Sequence, residues 1–334
     1  MVFKMEKNFA IVGCGRIGQR HAEQASKVGK LKAICDILPE RANAVGAIYG
    51  ATPYYSIDEL LNWEKELDLL SICTPNGLHA SHAIKALQGG IHVLSEKPLC
   101  ISVADGREMI NAAYKANKSL FVVKQNRYNP PVAYLKELIN MKKLGTLFSF
   151  QVNCFWNRPP SYYKGWKGTK DLDGGTLFTQ FSHFIDLIYW LLGDIEQVKY
   201  ISRNYAHPGI ELEDSGVVLF EMKNGSIGSL NYSVNSFEKN MEGSITLIAE
   251  KGTIKIGGQY LNELEYFVVE GMDFPNLPAG NPANSYGLYE GSMSNHDKVY
   301  QNLVKALDDH THSFASAEEG LKTVEIIERI YHTR

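Results

Sequence analysis

The chain has no cysteine framework, no membrane-length apolar run and no excess of one charge. Its five cysteines (Cys14, Cys35, Cys73, Cys100 and Cys154) are widely spaced and form no CxxC. A disulfide scaffold or thiolate zinc knuckle is therefore excluded as the organising device. Cys35 and Cys73 lie in apolar runs, where a cysteine acts as a small hydrophobe. No uninterrupted apolar stretch approaches the ~18–20 residues that span a bilayer. The opening Met1-Val-Phe-Lys-Met-Glu-Lys-Asn8 is interrupted by charge throughout, unlike a signal peptide, so a soluble chain in the cytoplasm is expected. Lys and Arg number 34 against 37 Asp and Glu, a net charge of −3, which excludes a surface built as a whole for nucleic acid or anionic membrane. His79-x-x-His82 and His310-x-His312 have no nearby cysteine or carboxylate to complete a ligand set, so no metal is expected.

What is present is an ordinary globular composition, 44% hydrophobic and 21% charged, over 334 residues. That length suffices for two cores. Residues 1–124 alternate short apolar runs with helical stretches. Strands are expected at 8–12, 32–35, 67–73, 92–95 and 120–124. Helices are expected at 16–28, from Pro39, from Ser56 (whose spacing to Glu59 is that of a capping box), at 79–88 and at 102–116. Strands separated by helices of 10–15 residues call for a doubly wound parallel sheet.

Gly13-Cys14-Gly15-Arg16-Ile17-Gly18 is a G-x-G-x-x-G between the first strand and the first helix. The first glycine permits the tight turn, the second lets backbone approach a pyrophosphate, and the third lets helix and strand pack closely. The helix N-terminus supplies unpaired N–H groups and a positive dipole. A glycine-rich turn alone would read the same way, but Asp36 closes the second strand. A carboxylate there accepts hydrogen bonds from an adenosine ribose and repels a 2′-phosphate, which favours NAD over NADP.

After Asn129-Pro-Pro131 the pattern changes. A helix at about 132–142 precedes a long strand at 145–156. Two hairpins follow: 215–222 with 226–232 around Asn224-Gly225, and 245–249 with 253–256. Residues 271–290, rich in proline and glycine, suggest a long loop, and helices at about 296–308 and 317–331 close the chain. The expected architecture is an α/β Rossmann domain, residues 1–124, followed by an α+β domain, residues 125–334. The second domain has a large, mostly antiparallel, open-faced sheet.

One helix, 174–192, is apolar nearly all round, with Leu177, Phe178, Phe181, Phe184, Ile185, Leu187, Ile188, Leu191 and Leu192. Thr176, Thr179, His183 and Asp186 make a narrow polar stripe along it. A buried histidine needs partners or a purpose. It is either a core side chain bonded to Thr179 or Asp186, or a base that removes a hydroxyl proton near pH 7. Glu96-Lys97-Pro98 follows a parallel strand directly, at the sheet edge where ligands bind. Lys97 is either a solvated surface charge or a cation that stabilises a developing alkoxide.

The combination of Gly13-x-Gly15-x-x-Gly18, Thr74-Pro-Asn76, Glu96-Lys-Pro98 and Gly174-Gly175 with His183-x-x-Asp186 resembles the Gfo/Idh/MocA oxidoreductases over essentially the whole chain. The resemblance implies a nicotinamide dehydrogenase acting on a sugar or cyclitol hydroxyl. It implies Lys97 and His183 as the catalytic pair and Asp36 as the ribose ligand. Gly13, Gly15, Arg16, Ile17, Gly18, Thr74, Asn76, His79, Glu96, Lys97, Gln125 and the Trp166-Lys167 pair would hold the cofactor. Many members carry an aspartate four residues before the histidine; here that position is Thr179, which holds no charge.

Further segments resemble the branch of that family that oxidises C3 of UDP-N-acetylglucosaminuronic acid for surface-polysaccharide synthesis. These are Gln125-Asn-Arg-Tyr-Asn-Pro-Pro131, Phe155 to Tyr163, Trp166-Lys-Gly-Thr169, Gly243-Ser-Ile-Thr246 and Gly291-Ser-x-x-Asn-His-Asp297. Residues 158–170 set Arg158, Lys164, Lys167 and Lys170 among Tyr162, Tyr163 and Trp166. A basic, aromatic segment suits an anionic nucleotide-sugar, and a solvated loop or subunit contact is its plain alternative. Arg127, Arg158, Tyr163, Thr179 and His183 are the substrate candidates. Two other readings stay open: a dehydrogenase of a free sugar or inositol, and a non-catalytic NAD(P)-sensing regulator. An open sheet face calls for cover by another copy, so a homodimer or homotetramer is expected.

Overall fold

The computed structural model describes residues 6–285, 287, 290–309 and 314–333; His310 and His312 lie outside them. In chain order the elements begin with β1 (Asn8–Val12), α1 (Arg16–Val28), β2 (Lys30–Cys35), α2 (Pro39–Tyr49), β3 (Thr52–Tyr54) and α3 (Ile57–Trp63). Next come β4 (Leu69–Ile72), α4 (His79–Gln88), β5 (His92–Ser95), α5 (Val103–Ala116) and β6 (Leu120–Val122). Then follow α6 (Pro130–Asn140), β7 (Leu147–Phe155), α7 (Thr176–Thr179), α8 (Ser182–Leu192), β8 (Ile195–Arg203), β9 (Ser215–Met222), β10 (Ile227–Ser233) and β11 (Glu242–Ala249). The chain closes with β12 (Gly252–Gly257), β13 (Glu263–Val269), β14 (Ala283–Ser285), β15 (Glu290–Met293), α9 (His296–Asp308) and α10 (Ala317–His332).

The chain divides into two compact units, one running to Val123 and including His296–Val324, the other Lys124–Asn295 with Glu325–Arg334. The second crossing differs from a single cut at 124/125. Its cause is visible in the first unit, where α9 lies on α1 and Tyr300 packs edge-on against His21 and Phe9.

The first unit is a parallel sheet of order β3-β2-β1-β4-β5-β6. The order reverses between β1 and β4, the switch point outside whose carboxyl ends nucleotides bind in such sheets. β1 and β4 are buried along nearly all their length, as strands covered on both faces must be. The helix starts follow the local chemistry. Pro39 occupies the first turn of α2, and the hydroxyls of Ser56 and Ser102 accept the Glu59 and Asp105 N–H groups to cap α3 and α5. β3 has no apolar alternation to announce it. It holds Pro53 and survives as a sheet edge, where a missing N–H costs no ladder bond.

The second unit is a seven-stranded sheet of order β13-β12-β11-β7-β10-β9-β8, antiparallel except for β10 with β7. The Asn224-Gly225 turn joins β9 to β10, with Gly225 at φ 87°. One face of this sheet carries the core: Phe150, Val152, Val218, Phe220, Leu230 and Tyr232 are buried there. Trp156 and Tyr232 meet Phe181, and Trp156 also meets Phe184 of α8. The opposite face exposes Ile201, Val217, Leu219, Ile227, Ile248, Tyr266 and Val268.

The helix expected over 174–192 is broken. α7 ends at Thr179, Phe181 leaves helical geometry at ψ 4°, and α8 restarts at Ser182. Side chains compete with the backbone at the break: the Thr179 hydroxyl donates back to Asp173, and Gln180 accepts from Arg158 and donates to Tyr162. Among the described residues no helix is long and apolar enough to cross a membrane. A methyl group added to Gly18 would lie 1.8 Å from the Gly13 carbonyl oxygen. Gly18→Ala is therefore expected to cost about 2–3 kcal/mol, measured as a lower urea midpoint with an unchanged slope.

Candidate active site

The turn after β1 has the shape a dinucleotide requires. Gly13 sits at φ 97°, and a Cβ there would come within 2.5 Å of the Cys73 carbonyl oxygen, so this position and Gly18 are closed to side chains. Gly15 is the opposite: a Cβ would meet nothing within 4 Å. It therefore offers bare backbone to open space, as close approach of a pyrophosphate needs. Gly15 also caps α1 without a side-chain hydrogen bond, so the positive end of the helix dipole faces this turn. Arg16 is exposed and Ile17 half-buried beside them. Asp36, at the end of β2, accepts the Cys14 N–H at 2.7 Å and the Leu38 N–H at 2.9 Å. The glycine turn and its acceptor are thereby fastened together. Burial, with Asp36 adding to it, pushes the Cys14 thiol up to about 12, which makes it packing material and not a nucleophile. These features fit NAD, whose pyrophosphate would lie on Gly15 and the α1 N-terminus.

Two further loops lie at the carboxyl ends of β4 and β5. Asn76 is buried, and Thr74 places its hydroxyl 3.1 Å from His82 Nδ1. The His79 ring spans the two loops, with Nε2 2.9 Å from the Thr74 carbonyl and Nδ1 2.8 Å from that of Pro98. Glu96 points inward. Its Oε1 is 2.8 Å from His21 Nε2 and 3.1 Å from His296 Nε2, and its Oε2 accepts the Lys97 N–H at 3.0 Å. Burial alone would raise the Glu96 carboxyl, but hydrogen bonds from the two histidines outweigh it and hold the group well below the usual range. Burial keeps His21 neutral. The three ligand-type atoms of His21, Glu96 and His296 lie within 4.8 Å of one another. Lys97 is half-buried, and its peptide bond to Pro98 is cis.

In the second unit the segment after β6 locks onto α8. Gln125 donates from Nε2 to His183 Nε2 at 3.2 Å and to the Ser292 hydroxyl at 3.2 Å. Asn295 fixes the same segment by donating to the Gln125 carbonyl at 3.1 Å. One turn beyond His183, Asp186 takes Arg127 through two bonds of 2.9 and 2.8 Å and Lys124 Nζ at 2.8 Å. Of the polar residues that share the helical segment of His183, Thr179 bonds to Asp173, and Asp186 is paired with Lys124 and Arg127. Asp173 is itself buried, and burial raises its carboxyl despite the hydrogen bond from Thr179. It puts a carboxylate behind the hydroxyl at the position where the family often has aspartate.

The basic segment divides by depth. Arg158 is 2% exposed and donates to Gln180 Oε1 at 2.8 Å and Asn240 Oδ1 at 3.1 Å, stacked between Trp156 and Tyr162. Tyr163 packs edge-on against His207. Lys167 sits 3.6 Å above the Tyr162 ring with Trp166 half-buried beside it, while Lys164 and Lys170 are exposed. Lys124, Asp173, His21 and His296 carry much of this geometry without having stood out as site residues. A buried lysine at a strand end, or a histidine inside a first helix, looks like any other until its partner is known.

Residues 7–124 match the family described as the oxidoreductase family with an NAD-binding Rossmann fold, and residues 132–255 match the GFO/IDH/MocA C-terminal domain. The chain belongs to the Gfo/Idh/MocA oxidoreductases. As a member it is an NAD-dependent oxidoreductase. A structure of the WlbA dehydrogenase from Bordetella pertussis, solved with NADH and UDP-GlcNAcA, is 34% identical with a TM-score of 0.88, covering 98% of this chain and 96% of that one. The WlbA structure from Chromobacterium violaceum, with the same ligands, is 34% identical with a TM-score of 0.89, covering 99% and 94%. By sequence, an uncharacterised oxidoreductase of Streptococcus pneumoniae is 30% identical over 75% of this chain and 71% of its own. In this member of the family, Asp186 outweighs its burial through Lys124 and then Arg127, and its carboxyl comes down to about 2. Because the folded value is depressed, the stabilisation is complete above the ordinary carboxylate pKa of about 4 and is lost as pH falls towards 2. Asp186→Asn strands two buried cations and is expected to cost about 3–5 kcal/mol at neutral pH, with a flatter acid limb of stability against pH in chemical denaturation.

Proposed function

We propose that this oxidoreductase oxidises the 3-hydroxyl of UDP-N-acetylglucosaminuronic acid in surface-polysaccharide synthesis. The observation that carries the reading is the near-complete alignment, at 34% identity, with two WlbA dehydrogenases solved with NADH and UDP-GlcNAcA. The lysines and aromatic rings of residues 158–170 support it, since cations suit phosphate or carboxylate and rings suit sugar. Bound NAD supplies the hydride acceptor. His183 takes the hydroxyl proton, and Lys97 polarises the same oxygen and stabilises its developing charge. Asp36 selects NAD by offering an acceptor to the ribose and repulsion to a 2′-phosphate.

Lys97→Ala and His183→Ala should each lower turnover by about 10²–10⁴-fold with little change in NAD affinity. The check is a thermal-shift screen of UDP-sugars, free sugars and inositols with NAD present, followed by NADH absorbance for each hit in wild type and both variants. Near-normal turnover in both variants, or oxidation of inositols with no response to UDP-sugars, would sink the reading.

We also propose that a second copy covers the exposed sheet face. Seven exposed apolar side chains share one face of the sheet, and apolar patches of that kind mark interaction surfaces. Light scattering at micromolar concentration should report a dimer or tetramer, and a monomer would contradict this.

A further inference from the structure

The histidines at 21 and 296 have no part in the proposed chemistry, yet both are fully buried and both point at one carboxylate oxygen. Glu96 Oε1 receives His21 Nε2 at 2.8 Å and His296 Nε2 at 3.1 Å, and the two rings stand edge to face with centroids 5.2 Å apart. Behind His21, Nδ1 lies 2.9 Å from the Tyr300 hydroxyl, which lies 2.8 Å from the Ser71 hydroxyl of β4. With Ser71 donating to Tyr300 and Tyr300 to His21 Nδ1, the neutral ring carries its proton on Nε2 and gives it to Glu96. His296 follows the same rule by elimination: its buried Nδ1 has no hydrogen-bond partner, so Nε2 bears the proton that faces the carboxylate. The other oxygen, Oε2, receives the backbone N–H of Lys97 at 3.0 Å. The Glu96 N–H donates to the Ile72 carbonyl at 2.9 Å, so the residue is pinned to β4 as well.

We propose that His21 and His296 are positioning residues for Lys97. They hold the Glu96 carboxylate by its inner oxygen so that its outer oxygen fixes the Lys97 peptide, and with it the direction in which the ammonium leaves the loop. Glu96 then serves the reaction from behind Lys97 and not as a direct cofactor ligand. A loop residue after a strand has free rotation at its backbone unless its N–H is held, and displacement of about 1 Å at a reacting group can cost ~10²-fold in rate. This inference rests on the reading of Lys97 as the group that polarises the substrate hydroxyl.

The test compares His296→Leu, which removes the N–H donor, with His296→Gln, whose amide can restore it, in the full chain; the His21 pair is read in the same way. NAD binding by thermal shift should be unchanged in both. With UDP-GlcNAcA and NAD, His296→Leu should lower kcat about tenfold or more, and His296→Gln should return it to within about threefold of wild type. A kcat in His296→Leu within about twofold of wild type, or equal losses in Leu and Gln variants that both bind NAD, overturns the proposal. Lys97→Ala separates this failure from that of the functional reading: if turnover survives it, the role of Lys97 is wrong. The clamp is then judged without turnover, from the ε-carbon NMR signal of Lys97 in ¹³C-lysine protein with NADH. A shift in His296→Leu that reverts in His296→Gln supports the clamp, and an unmoved signal overturns it.

Discussion

A carboxylate taken out of water must have its lone pairs met by donors or cations, and in this protein two carboxylates obey that constraint beside Lys97 and His183, the pair proposed for catalysis. Glu96 answers it with two imidazole N–H groups and the Lys97 backbone. Asp186 answers it with Lys124 and a two-pronged Arg127. In each case desolvation acts to protonate the acid and the partners win, so both stay ionised. Each network also immobilises a neighbour: Glu96 the loop that carries Lys97, Asp186 the helix that carries His183 one turn earlier. Removing one partner from such a set leaves an unmatched charge, which is why these networks make rigid supports.

The nucleotide turn is governed by a different constraint, the space left beside the backbone. Gly13 and Gly18 are closed by carbonyl oxygens, while Gly15 opens onto nothing. The pattern of three glycines therefore encodes one tight bend, one bare surface and one close packing contact. Asp36 joins the second strand to this turn by accepting the Cys14 N–H. Asp36 and the glycine turn are thus parts of one hydrogen-bonded piece.

The elements with strong local signals were legible. Helix α4 and strand β5 fall where the apolar pattern puts them, and α3 and α5 begin at serines whose hydroxyls cap them. The hairpin at Asn224-Gly225 follows from its turn residues. The signals that failed were those where side chains override the pattern. Apolar spacing over 174–192 suits one helix, but Thr179 and Gln180 have hydrogen-bond partners in Asp173, Arg158 and Tyr162 that only the folded chain supplies. Likewise Arg158 looks from its basic neighbours like a surface cation, and it is buried against Gln180, Asn240 and two rings.

From the sequence alone came the alternation of strands and helices in the first unit, the glycine turn with its acidic partner, and the family to which the motifs belong. These depend on residues close in the chain, where spacing translates directly into turn, cap and face. Only the tertiary structure decided which way each polar side chain points. Glu96 turns inward to His21 and His296, His183 is met by Gln125, and Asp186 is shared by Lys124 and Arg127. Those partners stand 58 to 200 positions away in the chain. The cost of burying a charge is settled by whatever the fold brings beside it, and no local pattern records that.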